Sequence, residues 1–281
     1  MKTGRVVCIL AVATLFLAPL RAQQAPAPRP YRILVTNDDG VRAPTLSMLA
    51  QALQAIGDVV IIASSDNQSA KSHSLNTTEP VFREDLTLPS GLRAIGLTAT
   101  PATAMQVAVK NILNPRPDMV VSGINPGYNL GYSAYLSATV GAARQAAIEG
   151  IPAIAVSMAA AAPTSDRVFA AEEALWVARR VKQFGLPAGT FLNVNVPPMP
   201  PTGYRGYRVT SAAPMRAGEE TFVEMKHPSG RTLYFSSYKE GFAAPEGSDG
   251  WAVANGFVAV TPLRLGEAGA TIGNALRESF Q

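Results

Sequence analysis

Four short runs of consecutive apolar residues punctuate the first half of the chain: Ile33-Leu34-Val35, Val59-Val60-Ile61-Ile62, Met119-Val120-Val121 and Ile154-Ala155-Val156. Continuous rather than alternating apolar sequence suits a strand covered on both faces, so these runs predict buried parallel strands. Helix-like segments lie between them, over Pro44–Ile56, Thr100–Leu113 and Thr139–Glu149, and Gly150 and Pro152 mark the entry to the fourth strand. Strand and helix thus alternate at the spacing of βαβ units, which predicts an α/β fold with a mostly parallel, doubly wound sheet. From Phe191 the rhythm changes. Phe191–Val196 alternates, and Tyr207–Thr210, Thr221–Met225 and Thr232–Phe235 follow without intervening helices. Lys226-His227-Pro228-Ser229-Gly230 reads as a hairpin turn between two of them. This part of the chain predicts a strand-rich C-terminal arm used in oligomerisation, closed by a strand at Phe257–Val260 and a helix at Ala270–Phe280.

The amino terminus has a different pattern. Lys2 and Arg5 precede an apolar run from Val6 to Leu17, and Leu20-Arg21-Ala22 leads into Gln23-Gln24. A charged start, a short apolar stretch and a small residue at a cleavage point are the marks of a secretory signal, here residues 1–22 cleaved near Ala22. An uncleaved N-terminal anchor is the other reading, although the run is shorter than the roughly 20 residues that span a bilayer. Residues 23–30, with Pro26, Pro28 and Pro30, fit an extended linker. The remaining chain, 31–281, is expected to form one domain, with a core over about 31–196 and the arm and closure over about 197–281. The product is expected to be exported, to the periplasm, without stable membrane insertion.

Composition then narrows the chemistry. Removing the segment leaves 21 basic against 20 acidic residues, so the formal charge of +4 on the whole chain mostly leaves with it. No basic cluster marks a nucleic-acid-binding face. The only cysteine, Cys8, lies in the same segment, which excludes a disulfide, a thiolate metal site and a cysteine nucleophile from the mature chain. The two histidines, His73 and His227, are too few for a three-histidine zinc site. Any metal must be held mainly by oxygen, which suits Mg²⁺, Mn²⁺ or Ca²⁺.

Oxygen donors do gather, and they do so where the strands end. The first strand runs into Asn37-Asp38-Asp39-Gly40, the second into Ser64-Ser65-Asp66-Asn67-Gln68-Ser69, and the third into Ser122-Gly123-Ile124-Asn125-Pro126-Gly127-Tyr128-Asn129. In an open parallel sheet, ligands bind beyond these carboxyl ends. Two adjacent carboxylates buried there repel each other unless a cation lies between them. Asp38-Asp39 equally suits a turn followed by a helix N-cap, and Ser69 a capping loop residue. The glycine-rich stretch through Gly127 and Gly131 suits either a plain turn or a phosphate cradle ahead of the helix from Thr139. His73 reads as a general acid or as a polar loop residue. No Gly-x-Ser-x-Gly elbow is present, which argues against serine-hydrolase chemistry. The adjacent aspartates also lack the Asp-x-Asp spacing of an aspartyl-phosphate enzyme.

These residues resemble the stationary-phase survival protein E (SurE) family of metal-dependent 5′/3′-nucleotidases. The resemblance runs through Ile33–Gly40, Ala43-Pro44, Asp66–Ser69, Ser72–Leu75, Pro115–Asn125, Gly127, Asn129–Gly131, Thr139-Val140, Gly150–Ser157, Asn193–Pro197 and Gly256–Leu263. It covers roughly Tyr31 to Leu263. It implies a Rossmann-like core with a projecting arm, assembled as a homodimer or homotetramer. It also implies hydrolysis of nucleoside monophosphates to nucleoside and phosphate with Mn²⁺ or Mg²⁺. The family's metal ligands fall on Asp38, Asp39, Ser69 and Asn125, with Asp38 and Asp39 as the catalytic pair. Asn129, Ser137 and Thr139 are the expected phosphate contacts.

The chain departs from the family around that second set. Acidic residues common after Asn-Leu-Gly are replaced by Tyr132-Ser133, Ser-Gly-Thr reads Ser137-Ala138-Thr139, and Ala99-Thr100-Pro101-Ala102 leads into Thr103-Ala104 rather than an Asp-Cys pair. The alternative function is accordingly a non-catalytic nucleotide- or phosphate-binding protein on the same fold.

Overall fold

The computed structural model describes residues 29–199, 204–214, 218–240 and 244–266. The proposed signal, nearly all of the linker and the helix expected over Ala270–Phe280 lie outside the described residues.

The apolar runs become the centre of one mixed sheet. In chain order the first elements are β1 (Arg32–Thr36), α1 (Pro44–Leu53), β2 (Asp58–Ser64), β3 (Arg83–Thr87), β4 (Arg93–Leu97) and α2 (Pro101–Val107). They continue with β5 (Met119–Pro126), α3 (Ala138–Ile148), β6 (Ala153–Met158), α4 (Thr164–Phe184) and β7 (Thr190–Val196). Last come β8 (Tyr207–Val209), β9 (Gly218–Lys226), β10 (Thr232–Glu240), α5 (Asp249–Ala254) and β11 (Val258–Arg264). Among the described residues the sheet order is β3-β4-β2-β1-β5-β6-β7-β11-β8, with β9 and β10 forming a separate hairpin. The strands from β4 to β7 are parallel, β3 is antiparallel at one edge, and β11 is antiparallel to β7.

Two cores follow from the two-residue period of a strand. Ile33, Val35, Ile61, Met119, Val121, Ile154 and Val156 face the layer formed by α1 and α4. Leu34, Ile62, Val120, Ala153 and Ala155 face the opposite layer formed by α2 and α3. Every second residue thus meets a different helix layer, and this is why the runs are continuously apolar.

The long helix α4 is not singled out by the apolar runs. Its buried stripe is Phe169, Ala170, Ala174, Val177, Ala178 and Val181, spaced for one helical face but half of it alanine. The β3–β4 pair is equally quiet in the sequence. β3 reads Arg-Glu-Asp-Leu-Thr, and charges of this kind on an edge strand discourage pairing with another chain. The helix expected over Thr100–Leu113 is α2 followed by one π-helical turn, Ala108–Ile112. The strand-rich end divides in two: β8 and β11 extend the main sheet, and the 226–230 turn closes the β9–β10 hairpin with Thr232 opposite Lys226. Arg29, at the linker's end, forms a two-pronged ion pair with Asp118 at 2.7 Å and holds that carboxyl below its ordinary range, despite opposing burial. No helix among the described residues is long and apolar enough to cross a membrane.

Candidate metal and phosphate site

Strand order decides which loops meet. From β1 the chain winds outward through β2 to β4, then returns to place β5 on the other side of β1. The carboxyl ends of β1 and β5 therefore flank a topological switch point, where diverging connections leave a crevice. Asp38 and Asp39 follow β1, Asn125 lies near the end of β5, and Ser69 follows β2, the other neighbour of β1. The backbone N–H of Gln68 donates to the Asp38 carbonyl at 2.7 Å, tying the β2 loop to the β1 loop.

Neither aspartate caps α1. The N-cap is Ala43, followed by Pro44 at the first helical position, and the first turn carries no acidic residue. The loop in between is turned sharply at Gly40, whose φ of +102° is left-handed and whose missing Cβ would meet the Asp66 and Ser65 backbone at 3.3 Å. Asn37 closes the turn by donating to the Gly40 carbonyl at 3.1 Å.

Asp38 is 2% exposed. Burial pushes its carboxyl up, opposed by the hydrogen bond it accepts from Thr139 Oγ1 at 2.6 Å. Asp39 is pushed up to about 7, first by burial and then by the charge of Asp38. Its Oδ2 is buried without a hydrogen-bond partner. A pair of carboxyls so placed, with one oxygen uncompensated, fits a divalent cation, which would favour the ionised forms of both. No group of three or more His, Cys, Asp and Glu side chains gathers anywhere among the described residues. A cation at the pair would therefore complete its shell with neutral oxygens, as hard cations do. Asn125 donates its amide nitrogen to the Gly127 carbonyl at 2.6 Å and keeps its side-chain oxygen for another partner. Ser69 is exposed, and the loop beyond it carries two left-handed non-glycine residues, Ala70 and Ser72.

The other side of the crevice is built by α3. Ser137 caps this helix, accepting from the Val140 N–H at 3.2 Å, and Thr139 in its first turn reaches Asp38. Asn129 turns inward instead. Its amide nitrogen donates to Ser157 at 2.7 Å, its N–H donates to Asn195 Oδ1 at 2.9 Å, and its carbonyl accepts from Asn193 at 2.7 Å. It therefore pins the 127–131 loop to β6 and β7. His73 lies half-buried with Nε2 2.8 Å from Gln145 Oε1 on α3, beside Gly141, where a Cβ would stand 2.4 Å from the Ser72 carbonyl.

Asp249, which the sequence pattern does not single out, belongs to the same construction. Fully buried at the start of α5, it accepts from the N–H groups of Gly131 at 2.8 Å, Ala213 at 2.9 Å and Gly250 at 2.8 Å. Its only sequence signal is the Ser248-Asp249 start of a short helix, with Ser248 as the cap.

The model of the family described as Survival protein SurE matches residues 33–219. The chain belongs to the SurE family. A relative named 5′-nucleotidase SurE from Geotalea daltonii is 42% identical over 235 residues, covering 83% of this chain and 93% of the relative. The 5′-nucleotidase SurE 1 of Thermus thermophilus is 39% identical over 236 residues, covering 83% and 92%. The crystal structure of the SurE protein from Aquifex aeolicus superposes with a TM-score of 0.75 at 33% identity, covering 89% of this chain and all of that one. The Rossmann-like α/β SurE fold expected from the sequence is thus the fold observed.

Proposed function

We propose that this chain is a metal-dependent 5′-nucleotidase, hydrolysing nucleoside 5′-monophosphates to nucleoside and inorganic phosphate. The observation that carries the reading is the Asp38–Asp39 pair at the switch point, whose buried Asp39 Oδ2 has no hydrogen-bond partner. The SurE relatives named as 5′-nucleotidases support it over most of the chain.

Asp38, Asp39, Ser69 and Asn125 are the proposed ligands of the cation, Mn²⁺ or Mg²⁺. When bound, such an ion supplies Lewis acidity that activates water and offsets charge on the phosphoryl oxygens. The rest falls to the protein. Thr139 holds one oxygen of Asp38 in a fixed direction, which orients the carboxylate. The first turn of α3, which Ser137 caps and where Thr139 lies, favours an anion through the positive end of its helix dipole. Asn129 acts indirectly, pinning the 127–131 loop to β6 and β7 rather than presenting its amide nitrogen to a phosphate.

Export through residues 1–22 is proposed on the charged and then apolar amino terminus. Assembly as a homodimer or homotetramer is proposed on the β9–β10 hairpin, where Phe222, Val223, Met225, Tyr234 and Phe235 are at least half exposed. The test of the activity is phosphate release from a panel of nucleoside monophosphates and an aryl phosphate with Mn²⁺, with Mg²⁺ and with EDTA. Release is expected with metal and is lost in EDTA, and Asp39→Ala should be folded and inactive. Absence of metal-dependent release across the panel would sink the reading and favour a binding protein.

A further inference from the structure

The turn Tyr132–Tyr135 has an unusual distribution of surface. Ala134 is 2% exposed and plugs its underside, whereas Tyr132, Tyr135 and the following Leu136 are 50%, 54% and 48% exposed. Five residues thus present three large apolar side chains to solvent. Single exposed apolar residues are ordinary, but a cluster held on a short turn marks a place where something docks.

The turn is also anchored at both ends. At its start, the Gly131 N–H is fixed by the buried carboxylate of Asp249. At its end, the Tyr135 carbonyl accepts from Ser72 Oγ at 2.5 Å. Internal bonds from Ser133 to Leu130, Ala134 to Gly131 and Leu136 to Ser133 close the short helical turn. Both anchors belong to the neighbourhood of the site. Ser72 lies three residues beyond Ser69, and the turn runs through Leu136 directly into Ser137, the cap of α3.

The two rings meet edge to face, with centroids 6.4 Å apart and planes at 62°. This arrangement leaves a flat face available rather than burying both faces in a stack. The Tyr135 ring is further occupied by the Arg144 guanidinium, 5.8 Å from its centroid. Tyr132 therefore presents the platform and Tyr135 backs it.

Resting on the nucleotidase reading, we propose that Tyr132, backed by Tyr135, is a stacking platform for the nucleobase of the substrate, so that the site selects phosphate esters carrying a flat aromatic group. A phosphate held at the first turn of α3 leaves the nucleoside to extend toward the segment that leads into that helix. Stacking on one ring face accepts any base, since every base has a π-face, so the platform selects nucleotide over sugar phosphate rather than one base over another. The anchors at both ends contribute by presenting the ring already ordered, which reduces the entropy lost on binding.

The test compares adenosine 5′-monophosphate with ribose 5-phosphate, which has the same phosphorylated carbon and no base. For Tyr132→Ala, the ratio of kcat/KM for the nucleotide to that for the sugar phosphate should fall about tenfold, mostly through the nucleotide KM. Tyr132→Phe should restore the ratio, because the ring face is kept. An unchanged ratio in Tyr132→Ala, with circular dichroism showing a folded protein, overturns the platform. So does a change in sedimentation mass without a change in the ratio, which would make the turn a contact between copies. If the wild type hydrolyses neither ester, the nucleotidase reading falls separately. The platform is then judged by calorimetric binding of the same two compounds, and equal affinities overturn it.

Discussion

Thr139 donates its hydroxyl proton to Oδ1 of Asp38 across 2.6 Å, joining the first turn of α3 to the end of β1. Both residues are buried, so this bond to a carboxylate is shielded from competing water. It favours the ionised carboxylate and holds Oδ1 in place. Thr139→Val should retain the fold and weaken Mn²⁺ binding by about 10–100-fold, as loss of a ligand-orienting partner does. Isothermal titration of the metal-free protein reads this directly, and Thr139→Ser should recover most of the affinity.

The aspartate pair makes the stability of the metal-free protein depend on pH. Burial and the neighbouring charge raise Asp39 from 3.8 to about 7, so the folded state holds this proton more tightly than the unfolded chain does. Stability from this group is full below pH 3.8 and is lost as pH rises through about 7. Asp39→Asn should remove that loss and stabilise the metal-free protein at pH 8 by on the order of 2 kcal/mol, allowing for the partial exposure of Asp39. Thermal melts in EDTA at pH 5 and pH 8 provide the comparison. Equal pH dependence in wild type and variant would contradict it. Activity should move the opposite way and vanish.

Asp249 satisfies three buried N–H groups from separate parts of the chain. Asp249→Ala leaves those donors without partners and is expected to cost about 3–5 kcal/mol, comparable to breaking a buried charged network. Urea denaturation measures the loss. Asp249→Asn, with one oxygen left to accept, should fall between the two.

Gly141 sits inside α3, where alanine ordinarily favours helix by roughly 0.8–1.0 kcal/mol. Here a Cβ would lie 2.4 Å from the Ser72 carbonyl and 3.2 Å from the His73 Cα. The clash should win, and Gly141→Ala should lower stability by about 1–3 kcal/mol. The loop from Ser69 to His73 would have to move, so its phosphate-release activity should fall as well. A variant more stable than the parent would show that this contact is softer than the packing implies.

Parts of this arrangement are visible in one dimension and parts are not. β1, β2, β5 and β6 are legible because burial on both faces demands an uninterrupted apolar run, of Val, Ile, Leu, Met or Ala, whatever the partner strands are. The helix α4 escapes notice because alanine supplies half of its buried stripe, and β3 and β4 because an edge hairpin has no need of a continuous apolar run. At the site, Asp38-Asp39-Gly40 stands out as an acidic pair after a strand, yet its alternative as a cap falls only when Ala43 is seen to occupy that position.

The sequence by itself determined the α/β class, the oxygen-rich ends of three strands and an absence of thiol or multi-histidine metal chemistry in the segment after residue 22. Those properties depend on local pattern and on counts, which need no knowledge of the partners in space. The tertiary structure alone decided that β2 and β5 flank β1, and so that Ser69, in the loop after β2, and Asn125, near the end of β5, follow the two strands beside the one that leads into the aspartates. It also decided that Thr139 meets Asp38 over a separation of 101 residues and that Asp249 holds Gly131 over 118. These pairings follow from strand order and the winding of helices onto opposite faces. Hydrogen bonds between such distant residues leave no periodicity in the chain to betray them.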